Sequence, residues 1–363
     1  MKKQCIINEN FEYELLNENQ QDVGLREKLA SLYASPYSDI LWYNLLDPSE
    51  NDGYFKLFYY EQNELLHIIL FKYSAKQPKK IFVQNQQFKI TTKDVKNICH
   101  ILFNEFDKVQ QIIFENILEH NHQQLSKMAI EITWLNDIVI SDIPNSMDAY
   151  MKSLGASTRK HIKLMKNHID KDFPDFTVHF FEKTEITFKQ IENIMNLYKN
   201  RLKNKNRTPL YLHDTDTKIM HQYVSTSGFG LLCVCEIDKK IVAGTINSVI
   251  GEHAYMHVIA HDEAYNKYSI GKIALIHATQ FLIEQKNIKY YHLGTGKMDY
   301  KFRHGGVSHN LFNILVFRNY NIYNFFGKNK STLKDFHRKL EMKYKIEYKI
   351  QSVIKKVKKK IQN

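Results

Sequence analysis

The sequence predicts an α/β (α+β) protein of two domains, each built from a mixed twisted sheet flanked by helices. The chain has 363 residues, of which 43% are hydrophobic, so it can bury a substantial core and is long enough for two domains. Segments with the two-residue period of strands alternate with segments that have the 3.6-residue period of helices. The order of segments in residues 1–150 repeats the last part of the order in residues 151–320, although no sequence repeat is visible.

Residues 1–150 make up the first predicted domain. Two apolar runs, 54–60 and 65–71, flank a short polar turn and predict a hairpin. Apolar residues then recur at helical spacing over 95–106, after a Thr-Thr pair that is typical of a helix start. The remaining predicted elements are strands over 81–83, 111–117 and 132–140, and a linking helix that begins near Asn145.

Residues 151–320 make up the second predicted domain, and its centre is a meander of three strands over 230–237, 241–250 and 254–261. Arg201 is placed in the loop that follows a long amphipathic helix. The other predicted elements are helices over 156–170, 188–202 and 270–284, and strands over 176–181, 288–293 and 311–317.

Residues 321–363 form a basic C-terminal extension. They hold 13 Lys and Arg against 3 Asp and Glu, so most of the net charge of +12 lies there. The rest of the chain is nearly balanced, and we therefore expect no nucleic-acid partner. Strict alternation over 342–350 predicts a strand, and apolar spacing over 350–361 predicts a lysine-rich amphipathic helix. Such a helix is either solvated and packed by one apolar stripe, or makes weak contact with an anionic membrane surface.

Four cysteines in a chain of this length indicate a reducing compartment rather than a disulfide framework. Cys233 and Cys235 share one face of a predicted strand in a spacing that matches no common zinc site, so we expect core packing and no metal. The N-terminus lacks the apolar stretch of a signal peptide, and the longest apolar run, 65–71, is too short to span a bilayer. A cytoplasmic protein is predicted.

The segment from His292 to Gly305 concentrates glycines, a Tyr-Lys pair and further cations directly after a short apolar strand. Glycine at a strand exit lets another molecule approach the backbone, while tyrosine and basic groups supply a proton donor and anion contacts. This composition is typical of a ligand-handling loop. The Gly-Thr-Gly-Lys stretch is not a P-loop, since the first glycine and the Ser/Thr after the lysine are missing.

Three local signatures, in this order and spacing, resemble the GNAT acyltransferase superfamily, and within it the CelD-like and FemAB-like tandem-GNAT branch. The first is the basic helix opening Ser157-Thr158-Arg159-Lys160, similar to the branch's "T-R-K". The second is Tyr268-Ser269-Ile270-Gly271-Lys272, similar to "Y-S-P-G-K" with Ile where Pro is usual. The third is the 294–302 segment, similar to "G-x-G-x-x-x-Y-K". The resemblance covers about 150–320 and implies two GNAT-like domains, the first degenerate.

The resemblance implies acyl-CoA as co-substrate. Its pantetheine arm is expected between the strands over 254–261 and 288–293, and its pyrophosphate at a helix N-terminus, where N–H groups and the helix dipole favour anions. The implied cofactor-binding residues are Val258, Ile259, Ser269, Ile270, Gly271, Lys272, Gly294 and Gly296.

Three residues are the implied catalytic candidates. His257 would be the general base, or else would only pack or hydrogen-bond, and Tyr300 would protonate the departing thiolate. Asp299 would orient the acceptor amine. Alternation along the strand places His253, His257 and His261 on one face, each about 13 Å from the next, which is too far apart for one metal ion.

Acceptor binding is assigned to cations that could pair with phosphates or a carboxylate, although each is equally consistent with a plain surface charge. They are Arg159, Lys163, Arg201, Lys301 and Arg303.

The function that these features imply is transfer of an acyl group, acetyl or a short hydroxyacyl such as 3-hydroxybutanoyl, to the amine of a nucleotide-linked amino sugar. A dTDP-amino-dideoxyhexose destined for surface polysaccharide is the example we favour. The partners are thus small molecules, and the oligomeric state is left open.

Two alternatives stand beside this hypothesis: a FemAB-like transferase that uses aminoacyl-tRNA in peptidoglycan synthesis, and a non-catalytic scaffold. The H-x4-D spacing at 257–262, which glycerolipid acyltransferases share, lacks their companion phosphate-binding block.

Overall fold

A computed structural model describes residues 3–8, 11–17, 24–46, 53–73, 78–118, 129–205 and 213–319. The described residues of the first half form β1 (Lys3–Asn8), β2 (Phe11–Asn17), α1 (Leu25–Tyr33), α2 (Ile40–Leu46), β3 (Gly53–Glu61), β4 (Glu64–Tyr73), β5 (Lys80–Val83), α3 (Thr92–Glu105), β6 (Gln111–Leu118), β7 (Ala129–Asp142) and α4 (Met147–Ser153). Those of the second half form α5 (Ala156–Asp172), β8 (Thr177–Glu182), α6 (Phe188–Asn204), α7 (Asp214–Thr226), β9 (Gly230–Ile237), β10 (Lys240–Ile250), β11 (His253–His261), α8 (Ile270–Lys286), β12 (Tyr290–Thr295), α9 (Asp299–Arg303) and β13 (Gly306–Phe317).

All thirteen of these strands belong to one mixed sheet, in the order β1-β2-β3-β4-β5-β6-β13-β7-β12-β11-β10-β9-β8. The pairs β5–β6 and β11–β12 are parallel, and the other neighbours are antiparallel. The α/β fold class with a mixed sheet flanked by helices is therefore confirmed.

The two halves exchange strands at the centre of the sheet. β13, from the end of the described chain, pairs with β6 of the first half, and β7 of the first half pairs with β12 of the second. β7 and β13 themselves pair from Gly306–Ser141 to Phe317–Ala129. Backbone hydrogen bonds thus run without a break across the predicted boundary near residue 150, which stays a prediction.

Helices cover both faces of the sheet, and one face is shared between the halves. Trp42 and Ile68 of the first half pack in the same buried cluster as Ile191, Val234 and Val258 of the second. The side chains of α8 lie in different clusters, with Ala254, Met256 and residues of α5. The face on which the first-half helices meet α6 and α7 is called the seam face below, and the other is the α8 face.

Most of the predicted strands and helices are confirmed within one to four residues at their ends. Arg201 is the exception among site residues, because α6 continues to Asn204 and places it in the last helical turn rather than in a loop. The predicted core packing of Cys233 and Cys235 is confirmed, since both are fully buried. The strand and helix predicted over 342–361 lie outside the described residues. Within the described ranges, no helix is long and apolar enough to cross a membrane.

Candidate functional site

A gap opens between β11 and β12 after only three residue pairs. The two strands are parallel and are paired at His253–Tyr290, Ala254–Tyr291 and Tyr255–His292. Beyond Tyr255 and His292 the strands diverge, although β11 continues to His261 and β12 to Thr295. Main-chain groups on an open strand edge can bond an extended ligand that carries amides, as an added strand would. The sheet therefore has a splay where the pantetheine arm is predicted, and the binding of that arm stays a prediction.

A β-bulge at His257 shapes the wall of this gap. Ile246 of β10 pairs with Val258, and the next residue, Asn247, pairs with Met256, so His257 is the extra residue of β11. A bulge of this kind bends the strand and shifts which side chains share a face. The strict alternation predicted for this strand is accordingly wrong after Met256.

Side chains on the two sides of the bulge confirm the shift. Ala254, Met256 and Ile259 pack in the α8-face cluster, whereas Val258 and Ala260 pack on the seam face. His257 stacks on Trp42 of the first half, with ring centroids 5.6 Å apart. His261 lies instead against the start of α8. The prediction that the three histidines share one face is thus wrong, because the bulge separates His257 from His261.

His257 is held by two neighbours. Its Nε2 atom lies 2.8 Å from Ser248 Oγ and its Nδ1 atom 3.5 Å from the Tyr37 hydroxyl. Burial lowers the pKa of His257 to about 4, so the ring is neutral near pH 7. Both ring nitrogens of His257 therefore have partners. This environment favours a structural role, in which the imidazole stabilises the bulge, over the predicted role of a general base.

The start of α8 lies directly after β11. Ser269, the N-cap residue, has a left-handed backbone (φ 52°) and provides no side-chain cap. Ile270 sends its side chain into the core and is 0% exposed, so only its backbone can meet a ligand. A Cβ on Gly271 would lie 2.5 Å from Nδ1 of His261. The packing of α8 on β11 therefore accounts for a glycine at this position.

Basic groups surround this helix start. His161 Nε2 of α5 lies 3.2 Å from Ser269 Oγ. The pKa of His161 is lowered by burial and by the charges of Lys272 and Arg303, which places those two cations near it. A helix N-terminus surrounded by cations favours an anion. The predicted pyrophosphate position is thus electrostatically suitable, and Arg303 lies on this side of the site.

The turn after β12 is closed by a buried lysine. Gly294 and Gly296 both have positive φ, 80° and 85°, a conformation that favours glycine. Lys301 is 4% exposed, and its ammonium donates to the carbonyl oxygens of Gly294 (2.8 Å) and Thr295 (2.7 Å). Burial lowers the pKa of Lys301 to about 8. Lys301 therefore serves the shape of the turn, and the placement does not favour the acceptor contact predicted for it.

Asp137 of β7 anchors the same turn, and the sequence reasoning missed it. Its carbonyl oxygen accepts from Gly296 N–H (2.9 Å), and its buried carboxylate pairs with Lys297 (3.0 Å) and accepts from Ser308 (3.1 Å). A sequence signal for Asp137 existed, because the polar pair Asn136-Asp137 separates the apolar residues Trp134-Leu135 from Ile138-Val139-Ile140 within β7.

Tyr300 and Arg201 lie close enough to interact. Burial raises the pKa of Tyr300 to about 12, and the Arg201 charge opposes that rise. The Nε atom of Arg201 is buried and has no hydrogen-bond partner among the described residues. Asp299 is exposed and pairs with Arg303 Nε at 2.8 Å, so its carboxylate is already engaged by a cation of the same short helix.

The remaining two residues predicted to contact the acceptor, Arg159 and Lys163, do not point to one common site. Arg159 donates to the carbonyl oxygens of Lys152 (3.2 Å) and Leu154, at the end of α4. Lys163 is exposed on α5. Within the part of the chain that is described, no group of three or more His, Cys, Asp or Glu side chains is placed to hold a metal ion.

Comparison with known proteins agrees with this geometry. Residues 156–302 match the family described as "Acetyltransferase (GNAT) domain". No curated protein matches the chain. The structure is similar to that of FemX, with a TM-score of 0.58 at 10% identity over 86% of this chain and 99% of that one. It is also similar to a conserved protein of unknown function from Bacteroides thetaiotaomicron, with a TM-score of 0.52 at 11% identity over 82% of this chain and 98% of that one.

At such identities the solved structures show a shared fold and nothing more. The matched stretch, by contrast, contains the bulged strand, the splay and the glycine turn described above. Residues 156–302 are therefore similar to a GNAT acetyltransferase domain, and they are set in a larger fold that FemX shares.

Proposed function

We propose that this protein is an N-acyltransferase that moves an acyl group from acyl-CoA to an amine. The observation that carries the proposal is the splay after Tyr255 and His292, which leaves the edge of β11 open beside the start of α8. An extended arm with amides fits the open edge, and a diphosphate fits the basic helix start, so one acyl-CoA molecule would satisfy both features.

The residues that would hold acyl-CoA follow from this placement. The backbone of Val258 and Ile259 would bond the pantetheine arm, since β12 no longer pairs with β11 there. The N–H groups of Ile270 and Gly271 would meet the diphosphate, and Lys272 would add charge. We reassign Arg303 from the acceptor to this phosphate group, because it lies near His161 and Lys272 at the helix start.

In the reaction, the amine nitrogen forms a bond to the thioester carbonyl carbon, and the carbon–sulfur bond breaks. The nitrogen loses one proton and the thiolate gains one. Tyr300 is the proposed donor to sulfur, because burial keeps its hydroxyl protonated at neutral pH. Holding the two substrates together in the splay would supply much of the rate.

The proposed acceptor is a nucleotide-linked amino sugar, for example a dTDP-amino-dideoxyhexose used in surface polysaccharide. The resemblance of the three signatures to the CelD-like branch supports this choice. The test is free-thiol release from acetyl-, butanoyl- and 3-hydroxybutanoyl-CoA against a panel of nucleotide-linked amino sugars. Release that depends on the acceptor is expected. Tight acyl-CoA binding with no release on any acceptor would overturn the sugar assignment but not the cofactor site.

The FemAB-like alternative is favoured by one observation, the fold shared with FemX. In that case the acyl donor is an aminoacyl-tRNA and the acceptor a peptidoglycan precursor. The long coiled-coil hairpin expected of those enzymes has no counterpart among the described helices, of which the longest have 17 residues. Transfer from aminoacyl-tRNA in the absence of acyl-CoA binding would establish this alternative. If neither acyl-CoA-dependent nor aminoacyl-tRNA-dependent transfer is detected, the non-catalytic scaffold is the remaining alternative.

A further inference from the structure

A cavity of about 430 Å³ lies between the two halves of the protein on the seam face. The first half lines it with residues of α1, β4, β6, β7 and the segment before α3, and the second half with residues of β11, β12 and β13. The lining includes the aromatic residues Tyr33 and Phe88, the charged residues Lys89 and Asp142, and the histidines His253 and His292. Its volume falls in the range of small-molecule sites.

The cavity reaches the apex of the splay. Tyr255 and His292, which line it, are also the last residue pair before β11 and β12 part. Tyr255 contacts Tyr37 of the first half, at 6.0 Å between ring centroids, whereas its neighbours Ala254 and Met256 pack on the α8 face. A molecule in the cavity would therefore meet the splay from the face opposite to α8.

Two histidines of the cavity form a linked pair. Nδ1 of His253 lies 2.9 Å from Nε2 of His292. Both rings are fixed by stacking, His292 on Tyr255 at 3.9 Å and His253 on Tyr290 at 4.7 Å between centroids. His292 is only 4% exposed, and its second nitrogen, Nδ1, is buried without a partner among the described residues.

This arrangement can move a proton. In a neutral pair one ring donates to the other, so of the two outer nitrogens, Nδ1 of His292 and Nε2 of His253, one carries a hydrogen and the other a lone pair. A proton taken up at one end can be passed through the shared hydrogen bond and released at the other. His253 is the more exposed of the two residues, so a proton released to solvent would leave from its side.

Electrostatics keep this pair neutral. Burial lowers the pKa of His292 well below its ordinary value, and the nearby His253 and His309 oppose a positive charge there. Burial also lowers the pKa of His253, which Lys89 lowers further and Glu252 opposes. A neutral imidazole has the lone pair that proton uptake requires.

We propose that this cavity binds the acyl acceptor, and that the His253–His292 pair accepts the proton that the amine loses. The inference rests on the proposed function. As the nitrogen–carbon bond forms and the carbon–sulfur bond breaks, the amine proton goes to Nδ1 of His292. The inner proton shifts to His253, and Nε2 of His253 releases its proton to solvent, so the pair returns neutral.

The lining indicates the class of acceptor. Aromatic rings, among them Tyr33, Phe88 and Tyr255, present faces on which an apolar ring surface can stack. Asp142 can attract an ammonium group, and Lys89 can attract an anion attached to the same molecule. The cavity thus suits a primary amine on a compact ring that also carries negative charge.

The first test separates the proton role from folding. His292→Gln and His253→Ala are compared with His179→Gln, which alters an exposed histidine on the edge strand β8. With acetyl-CoA and a dTDP-amino-dideoxyhexose as probes, kcat falls at least about a hundredfold in the two cavity variants and is unchanged in the control. Calorimetry should show unchanged acetyl-CoA affinity in all three. Added imidazole should restore His253→Ala in a saturable manner, which a structural role would not allow.

The second test fills the cavity. Leu66→Trp narrows the cavity from the first half, at a residue that is not among the proposed acyl-CoA contacts, and Leu135→Trp makes the same change at an exposed position. The acceptor KM should rise at least about tenfold in the first variant only. An active wild type whose cavity variants match the controls would overturn the inference and leave the proposed function intact. A wild-type protein that binds no acetyl-CoA would overturn both the proposed function and this inference.

Discussion

The ammonium of Lys301 lies 2.8 Å from the carbonyl oxygen of Gly294, inside the protein and under the turn that follows β12. Neighbouring residues of that turn thus have different tasks. Lys301 holds the end of β12 together through these hydrogen bonds, whereas Tyr300 is the residue that we propose as a proton donor. At least one of the basic residues that are prominent in this loop sequence, Lys301, therefore stabilises the turn rather than a ligand.

The first prediction concerns Lys301 and pH. Its pKa is about 8 in the folded protein and 10.5 in the reference state, so between these values the unfolded chain binds more protons. The stabilising contribution of the neutral amine is present above pH 10.5 and is lost as the pH falls through 8. The free energy of unfolding of the wild type, relative to Lys301→Met, should thus increase by up to about 3 kcal/mol from pH 7 to 10.5. Urea melts at a series of pH values test this, and a difference independent of pH would contradict it.

The second prediction concerns Gly271 and His261. A Cβ on Gly271 would meet Nδ1 of His261 at 2.5 Å, so Gly271→Ala should cost about 1–3 kcal/mol of stability through overpacking. His261→Ala removes the obstructing ring, and the double variant should recover most of the loss that Gly271→Ala causes. A double-mutant cycle from thermal melts measures this coupling, and additive effects would show that the two residues do not compete for space.

The third prediction separates charge from bulk at the same position. Gly271→Glu places a negative charge at the proposed diphosphate site as well as a Cβ against His261. Acyl-CoA affinity should fall far more in Gly271→Glu than in Gly271→Gln, which carries similar bulk without charge. Calorimetric titration with acetyl-CoA distinguishes them, and equal affinities would remove the α8 start from the cofactor site.

The fourth prediction concerns Tyr300. Tyr300→Phe should lower kcat at least about tenfold, with the KM for acyl-CoA changed by less than about twofold, because the hydroxyl acts on the departing thiolate. Its pKa of about 12 keeps the hydroxyl protonated up to about pH 11, so this residue should cause no loss of wild-type kcat up to pH 10. An equal rise in KM with no change in kcat would assign Tyr300 to binding alone.

Local patterns sufficed for much of the second half. The meander β9–β11, the helix α8 and the glycine turn follow from periodicity and turn residues, which depend on near neighbours in the chain. The bulge at His257 could not be predicted, since the run from Ala254 to His261 contains no glycine or proline that would mark an interruption of the strand. The sequence reads as a regular strand, and only the pairing with β10 reveals the extra residue.

Contacts between residues that are far apart in the chain could not be predicted from local sequence patterns. The cavity depends on α1, β4 and the segment around Phe88 meeting β11 and β12, and no local pattern specifies that contact. His292 was part of the prominent loop segment, but its partner His253 was weighed only as a possible metal ligand. Their pairing became visible once β11 and β12 were known to be parallel neighbours in register.

The last prediction tests the predicted domain boundary near residue 150. It follows from the pairing of β7 of the first half with β12, and of β13 of the second half with β6. A fragment that spans 151–319 lacks β7, which pairs with both β12 and β13, so the edges of those two strands would be exposed. We expect this fragment to aggregate or to lack a cooperative thermal transition. The fragment 129–319 restores β7 and leaves only the β6 side of β13 unpaired, and it should therefore be the more soluble and cooperative of the two. Size-exclusion chromatography and circular dichroism melts of both fragments decide the matter. A cooperatively folded, monomeric 151–319 would show that the second domain is complete without β7.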